Sequence, residues 1–149
     1  MMSPVSRTNQ VVFFARNCLK QAEQATDQEK RQLEEAALGH LYAGVVSFAN
    51  ELTSQYRLPP FKGLSELFAR DQLPAELYEL SLLSHESHGW LGALLKQYDR
   101  MLLTGLDEGG VVQSVQLITT QSDYVDLLRN WLIELEKTIQ RMRLHYQEN

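Results

Sequence analysis

Apolar side chains recur with a helical period in the middle of the chain. Between Leu33 and Tyr56 they return every three or four residues, which places them on one wide face of an α-helix. These apolar positions are Leu38, Leu41, Val45, Phe48 and Leu52. The small residues Gly39, Ala43 and Gly44 would let a neighbouring helix approach closely. The pattern predicts a central helix around which the other helices pack.

The same period predicts a helix before the central one and two after it. The first runs from about Arg7 to Ala25, after a frayed or disordered start over residues 1–6. Two prolines cannot continue a helix, so the central helix ends before Pro59-Pro60. A short helix over Leu64–Arg70 follows, and a further helix starts at Pro74, which suits a first helical position.

The polar run Ser84–Gly89 interrupts this pattern and predicts either a kink or a break between two helices. The apolar period resumes at Trp90 and ends at Thr104-Gly105. Residues 104–121 then read as a long irregular connection. Within it, Val111–Thr120 is rich in β-branched residues, which favours extended structure that could pair across a dimer or dock on a partner.

The last helix, capped by Ser122-Asp123, carries the most regular seam of the chain. Its apolar positions are Val125, Leu128, Leu132, Leu135, Ile139, Met142 and Tyr146. Leu127 and Trp131 widen the seam, which fits a bundle core better than a two-stranded coiled coil. We therefore predict a single all-α domain over residues 1–149. Its architecture is an up-and-down antiparallel bundle of four to five main helices plus one short connecting helix.

Composition narrows the classes of function. The formal net charge of -5 argues against a broad surface for a nucleic acid backbone. Cys18 is the only cysteine, so an internal disulfide and a cysteine zinc cluster are excluded, and its place on an apolar face predicts a buried thiol. No run approaches the roughly 20 apolar residues of a membrane span, and the N-terminus lacks a signal-peptide pattern. We expect a cytoplasmic protein that does not enter membranes.

A polar stripe on the central helix is the first candidate for chemistry. His40 and Glu51 are eleven residues apart, so they share almost one azimuth at a separation of roughly 16 Å. That separation is too long for a paired acid–base role at one atom. Two interpretations stay open: a solvent-facing side of an amphipathic helix, or a polar groove between helices. Tyr42 lies beside this stripe, and Arg57 could pair with Glu51 or cover the last helical carbonyls.

Two clusters of polar residues outside the central helix invite functional interpretations. His85 and His88 are three residues apart, which differs from the four-residue spacing of zinc peptidases, and a polar kink with exposed histidines fits better than a metal site. Lys137, Arg141, Arg143 and His145 make the end of the last helix basic. These cations complement the helix macrodipole or form a small anion or RNA site. Nucleotide-binding loops and hydrolase elbows are absent from the sequence, so we expect no enzyme activity and no cofactor.

Three motifs in a fixed order carry a resemblance to a known family. They are Arg7-Thr8-Asn9-Gln10, the segment from His40-Leu41-Tyr42 through Glu51 to Tyr56-Arg57-Leu58-Pro59, and Trp90-Leu91. In this order the chain resembles a family of small all-helical proteins from gammaproteobacteria that is described as a domain of unknown function. The resemblance implies a bacterial, cytoplasmic, single-domain helical protein. It makes the polar positions of these motifs the candidate ligand-binding residues: Arg7, Asn9, His40, Tyr42, Glu51 and Arg57.

Two hypotheses about function follow from these observations. The first is a non-enzymatic interaction or regulatory module that binds another protein or a second copy of itself as a homodimer. The second is a bundle that binds a small molecule or RNA in a polar pocket around His40, Tyr42 and Glu51. The second hypothesis requires His40 and Glu51 to face the interior of the bundle.

Overall fold

The computed structural model describes residues 1–106 and 124–148, which form six helices and no strand. The helices are α1 (Pro4–Gln24), α2 (Asp27–Gln55), α3 (Leu64–Phe68), α4 (Ala75–Ser84), α5 (Trp90–Thr104) and α6 (Tyr124–Glu148). The prediction of an all-α bundle with one short connecting helix is thereby confirmed. The predicted central helix is α2, the longest of the six.

Helix α1 begins three residues earlier than the apolar period predicted. The Ser3 hydroxyl accepts a hydrogen bond from the amide of Ser6 at 3.1 Å, and Pro4 occupies the first helical position, where its missing N–H costs nothing. Residues 4–6 are therefore helical rather than frayed. In the sequence, a serine cap followed by proline indicates this helix start. The spacing of apolar residues alone does not indicate it.

Close helix packing around α2 depends on Gly44. A Cβ atom added to Gly44 would lie 3.0 Å from Cδ2 of Leu135 on α6 and 3.6 Å from Cγ2 of Val12 on α1. The missing side chain thus lets both long helices approach α2 closely. By contrast, a Cβ atom at Gly39 would meet nothing within 4 Å, so Gly39 does not serve this close approach.

The part of the bundle after α3 consists of two separate helices, α4 and α5. Residues 85–89 separate the two helices, so the predicted interruption is a break rather than a kink. Gly92 makes the break compact, because a Cβ atom there would lie only 2.2 Å from the backbone oxygen of Glu86. Tyr98 of α5 stacks on Tyr42 of α2, and Glu79 of α4 pairs with Arg141 of α6. These contacts join α4 and α5 to the long helices.

The core lies between α2, α6 and the inner faces of the other helices. All seven seam positions predicted for the last helix are buried, which confirms that this seam faces the bundle interior. Trp131 is buried beside the seam, and Trp90 packs against the edge of the core. Cys18 is half-buried, and burial raises the pKa of its thiol.

No helix within residues 1–106 and 124–148 combines the length and the apolar character that a membrane crossing needs. Most of the predicted irregular connection, including Val111–Thr120, lies outside the described residues, as does the predicted Ser122-Asp123 cap. The extended conformation of that segment and its part in a dimer therefore stay predictions.

Candidate functional site

A buried carboxylate joins three helices at one end of the bundle. Glu51, near the end of α2, is only 2% exposed. The guanidinium of Arg143 on α6 donates to both of its oxygens at 2.8 Å, and the Tyr146 hydroxyl donates to Oε2 at 2.6 Å. Arg143 also donates to Oδ1 of Asn9 on α1 at 2.9 Å. The ion pair of Arg143 with Glu51 and its hydrogen bond to Asn9 therefore tie α1, α2 and α6 together.

The partners of Glu51 keep it ionised despite its burial. Burial by itself would raise the pKa of this carboxyl group. Hydrogen bonds from Arg143 and Tyr146, with a contribution from Thr8, outweigh that effect and lower the pKa below its usual value. The same contact raises the pKa of Arg143, whereas burial and the Glu51 carboxylate raise the pKa of Tyr146 to about 12. The Glu51 side chain is therefore a carboxylate anion held in place by hydrogen bonds from Arg143 and Tyr146.

A second buried carboxylate repeats this arrangement on the other side of α6. Glu76, in the first turn of α4, is 3% exposed. The Tyr56 hydroxyl contacts both of its oxygens at 2.8 Å, and Nδ1 of His145 lies 2.8 Å from Oε2. Burial would raise the pKa of Glu76, but the hydrogen bonds from His145 and Tyr56 lower it overall. Burial and Glu76 also raise the pKa of Tyr56 to about 12.

These contacts account for three of the basic residues at the end of α6, but not for Lys137. Besides Arg143 and His145, Arg141 pairs with Glu79 of α4 through both guanidinium nitrogens. The basic helix end is thus matched by carboxylates from α2 and α4, in addition to complementing the macrodipole. A carboxylate that already accepts two or more hydrogen bonds and has a lowered pKa is a weak general base. The arrangement suits the joining of helices better than proton transfer.

An open groove of about 530 Å³ runs between α1 and α6 beside the Glu51 cluster. Asn9 and Arg143 lie at one end of it, and the exposed ion pair of Arg16 and Glu136 lies towards the other. Val12 and Ile139 contribute apolar side chains between them, and both are almost fully buried. The groove therefore offers an apolar floor between polar walls.

Large apolar side chains project into solvent along the same two helices. Leu144 lines the groove and is 60% exposed. Phe13, 52% exposed, is one turn from Asn9 and from Arg16, so it shares their stripe on α1. Ile133, 41% exposed, is one turn before Glu136 on α6. We call the groove together with Phe13, Ile133 and Leu144 the α1/α6 surface.

The structure brings two of the six predicted ligand-binding residues together. Glu51 and Asn9 share the guanidinium of Arg143. The solvent-face interpretation is wrong for Glu51, which points into the bundle. Arg7 is exposed and donates to Oε1 of Gln10 at 2.5 Å.

The other predicted residues lie apart from this cluster. His40 is half-buried against Phe14 of α1, with ring centroids 5.3 Å apart, and burial together with the charge of Arg7 lowers its pKa. Tyr42 stacks on Tyr98 of α5 at 3.8 Å, and burial first, then Tyr98, raises its pKa. His40, Tyr42 and Glu51 thus contact three different sets of neighbours.

Among the described residues, Arg57 does not pair with Glu51, whose two oxygens accept from Arg143. The backbone amide of Arg57 donates to the backbone oxygen of Ser54, near the end of α2. Its backbone instead turns the chain out of α2, with φ of 54°. Its side chain is exposed.

The two neighbouring histidines lie in the break between α4 and α5. Both are exposed, and Nδ1 of His85 donates to the backbone oxygen of Ser81 at 2.7 Å. In the part of the chain that the structure describes, no three side chains of the metal-binding types come together. This placement gives no support to a metal site at His85 and His88.

Sequence reasoning missed the partners of the buried carboxylates. Arg143 and His145 were recognised only as helix-end cations, and Tyr146 only as a core position. Glu76 in the first turn of a helix looks like an ordinary complement to the macrodipole. Each pair that these α6 residues form spans more than sixty residues of sequence, so no local spacing identifies it.

Comparison with known proteins gives a family but no activity. A family model described as "Family of unknown function (DUF6586)" matches residues 1–149. No curated protein and no solved structure matches the chain.

Proposed function

The chain belongs to the family of unknown function DUF6586, and from its geometry we propose that it is a non-enzymatic module that binds another protein through the α1/α6 surface. The observation that carries this proposal is the exposure of Phe13, Ile133 and Leu144 beside one groove. Exposed apolar side chains grouped around a concave surface are typical of protein-interaction sites.

The polar clusters support the same proposal by their chemistry. Glu51 and Glu76 are buried, and each is engaged by donors from other helices. Their contacts fix α6 against α1, α2 and α4, so they stiffen the frame on which the α1/α6 surface is built. A rigid frame reduces the ordering cost of binding.

The rival function, a small-molecule or RNA-binding bundle, receives less support. His40, Tyr42 and Glu51 do not line a common pocket in the described part of the chain. The groove beside Arg143 has a volume in the range of ligand pockets, but it is open, and its guanidinium is already engaged by Glu51 and Asn9. From the family resemblance we also propose a gammaproteobacterial origin and a cytoplasmic location.

A comparative pull-down tests the proposed surface. The bait is the full chain in three forms: wild type, Phe13→Ser/Leu144→Ser on the α1/α6 surface, and Tyr78→Ser/Leu82→Ser as a matched control. Tyr78 and Leu82 are equally exposed, but they lie on α4, which packs against the other side of α6. All four side chains are exposed, so each variant should change stability by no more than about 0.5 kcal/mol.

We expect one protein from an extract of the source organism, treated with nuclease, to remain with wild type and with the α4 variant and to be lost with the α1/α6 variant. Mass spectrometry identifies it, and circular dichroism verifies that each bait is folded. Loss of the same protein with the α4 variant alone, or equal recovery on all three baits, would contradict the proposal.

A further inference from the structure

The shape of the groove suits a helix of a partner. From Glu136 to Gln147 the groove follows eleven residues of α6, a length of roughly 16 Å at the rise of an α-helix. That length corresponds to about three helical turns. An amphipathic helix binds such grooves through apolar residues spaced three or four positions apart.

The apolar side chains of the surface are placed to receive such a helix. Ile133 and Leu144 are eleven residues apart on α6, so they lie almost in line along the helix axis. Phe13 stands on the facing helix α1, and Val12 and Ile139 form the floor between them. A helix laid in the groove would therefore meet Leu144 on the α6 side, with Phe13 and Ile133 one turn from residues that line the groove.

The charges around the surface are not balanced. Glu136 pairs with Arg16, and the carboxylates of Glu23 and Asp126 both pair with Arg129. Glu23 and Asp126 share one arginine, so these three carboxylates meet two arginines. Lys20 on α1 and Lys137 on α6 are exposed, and neither has a carboxylate partner among the described residues.

These two lysines flank the apolar side chains. Lys20 is one turn beyond Arg16 on α1, and Lys137 is one turn beyond Ile133 on α6. The two arginines and the two lysines outnumber the three carboxylates by one, so a chain with a net charge of -5 presents a small positive excess beside this groove. A partner that carries carboxylates at the edges of an apolar helical face would complement this pattern.

We propose that the α1/α6 surface binds an acidic amphipathic helix of a partner protein. The helix spans about three turns, turns its apolar face to Val12 and Ile139, and directs Asp or Glu side chains at its edges towards Lys20 and Lys137. This inference rests on the proposed function, because it specifies what kind of segment occupies the same surface.

A peptide display experiment tests the inference without knowledge of the natural partner. The probe is a library of helical peptides of about four turns, with leucines at one face and edge positions randomised among Glu, Lys, Gln and Ser. Selection is carried out on the full wild-type chain and on Lys20→Glu/Lys137→Glu. Counter-selection on Phe13→Ser/Leu144→Ser removes peptides that bind elsewhere.

We expect wild type to enrich glutamate at the edge positions and the charge-reversed chain to enrich lysine. Fluorescence anisotropy of one selected acidic peptide should show about five- to twenty-fold weaker binding to Lys20→Glu/Lys137→Glu than to wild type. This difference should shrink at high salt, because salt screens both the attraction to wild type and the repulsion from the variant. Circular dichroism confirms that the variants fold, which is expected because all the substituted side chains are exposed.

The possible failures are distinguishable. Enriched peptides that require Phe13 and Leu144 but show no preference at the edges would overturn the acidic helix and leave the proposed function standing. Failure to enrich any peptide that depends on Phe13 and Leu144 would overturn both. A wild-type dimer in sedimentation analysis that Phe13→Ser/Leu144→Ser dissociates would overturn the partner helix in favour of a second copy. Displacement of the selected peptide by single-stranded RNA at equal concentration would overturn it in favour of a nucleic acid.

Discussion

At the scale of single residues, the pair of Glu51 and Arg143 is the contact on which the arrangement of α6 depends most. The carboxylate is buried, and the side chain of Arg143 is 19% exposed. A buried charge that loses its partner costs far more free energy than the pair contributes net, because the remaining charge keeps its desolvation penalty. The pair therefore specifies how α6 sits on α2, whatever its net contribution to stability.

The substitution Arg143→Met should reduce the free energy of unfolding by about 3 kcal/mol, because it leaves Glu51 buried without its cation. Urea denaturation measures this loss. Arg16→Met is the matched control: it removes an arginine from the exposed pair with Glu136 and should cost less than about 1 kcal/mol. The double variant Arg143→Met/Glu51→Leu should recover most of the loss. Equal losses for the two arginine variants would show that burial does not set the cost.

The two buried glutamates also determine how stability depends on pH. Their pKa values are lower in the folded chain than in ordinary glutamate. Their contribution to the free energy of unfolding is therefore complete above the unfolded pKa of about 4.3 and is lost as the pH falls through the folded values. Wild type should lose stability steadily below about pH 5.

Glu51→Gln/Glu76→Gln should be less stable than wild type at neutral pH but should show a shallower decline on acidification. Thermal unfolding at a series of pH values measures both curves. Parallel curves for the two proteins would mean that other carboxyl groups cause the acid sensitivity.

The candidate residues were only partly accessible to sequence reasoning. The motif residues Asn9 and Glu51 do meet, but the arginine between them comes from the opposite end of the chain. Whether a polar residue on α2 faces solvent or the bundle depends on which helix covers that side. The spacing of apolar residues within α2 does not show which side another helix covers. For Glu51, that coverage decides whether the carboxylate is buried or exposed.

At the scale of helices, the spacing of apolar residues predicts most of the architecture. It does so because burial of one apolar face holds each helix in place. The seam of α6 is the clearest example, since all of its predicted positions are buried. Boundaries were less accurate: α1 starts at Pro4 because of a cap, and caps are set by single polar side chains.

The break between α4 and α5 depends on one glycine. Gly92→Ala would bring a Cβ atom within 2.2 Å of the Glu86 backbone oxygen, and backbone cannot give way as a flexible side chain does. We expect a loss of about 2 kcal/mol in the free energy of unfolding. Chemical denaturation of the full chain measures it.

Gly39→Ala on α2 provides the matched control for Gly92→Ala. Nothing lies within 4 Å of the new Cβ atom, so the higher helix propensity of alanine should stabilise the chain by up to about 1 kcal/mol. If both substitutions changed the free energy of unfolding in the same direction, that result would contradict the tight packing assigned to Gly92.

At the scale of the whole molecule, buried ion pairs hold one end of the bundle closed, while α1 and α6 expose apolar side chains on the outside. The buried carboxylates of Glu51 and Glu76 are engaged by donors from neighbouring helices and loops. Among the described residues, the α1/α6 surface is one where exposed apolar side chains lie beside a groove. Sequence reasoning predicted an interaction protein but chose Val111–Thr120 as its contact, because the exposure of Phe13 and Leu144 depends on how the helices pack.

Hydrogen exchange of the full chain, alone and with the protein recovered in the pull-down, tests the central claim most directly. Mass spectrometry of the digested chain reports which amides become slower to exchange. We predict slower exchange in α1 around Phe13 and in α6 from Ile133 to Leu144, with α4 unchanged around Tyr78. Protection confined to α4 and α5, or no protection of α1 and α6, would contradict binding through the α1/α6 surface.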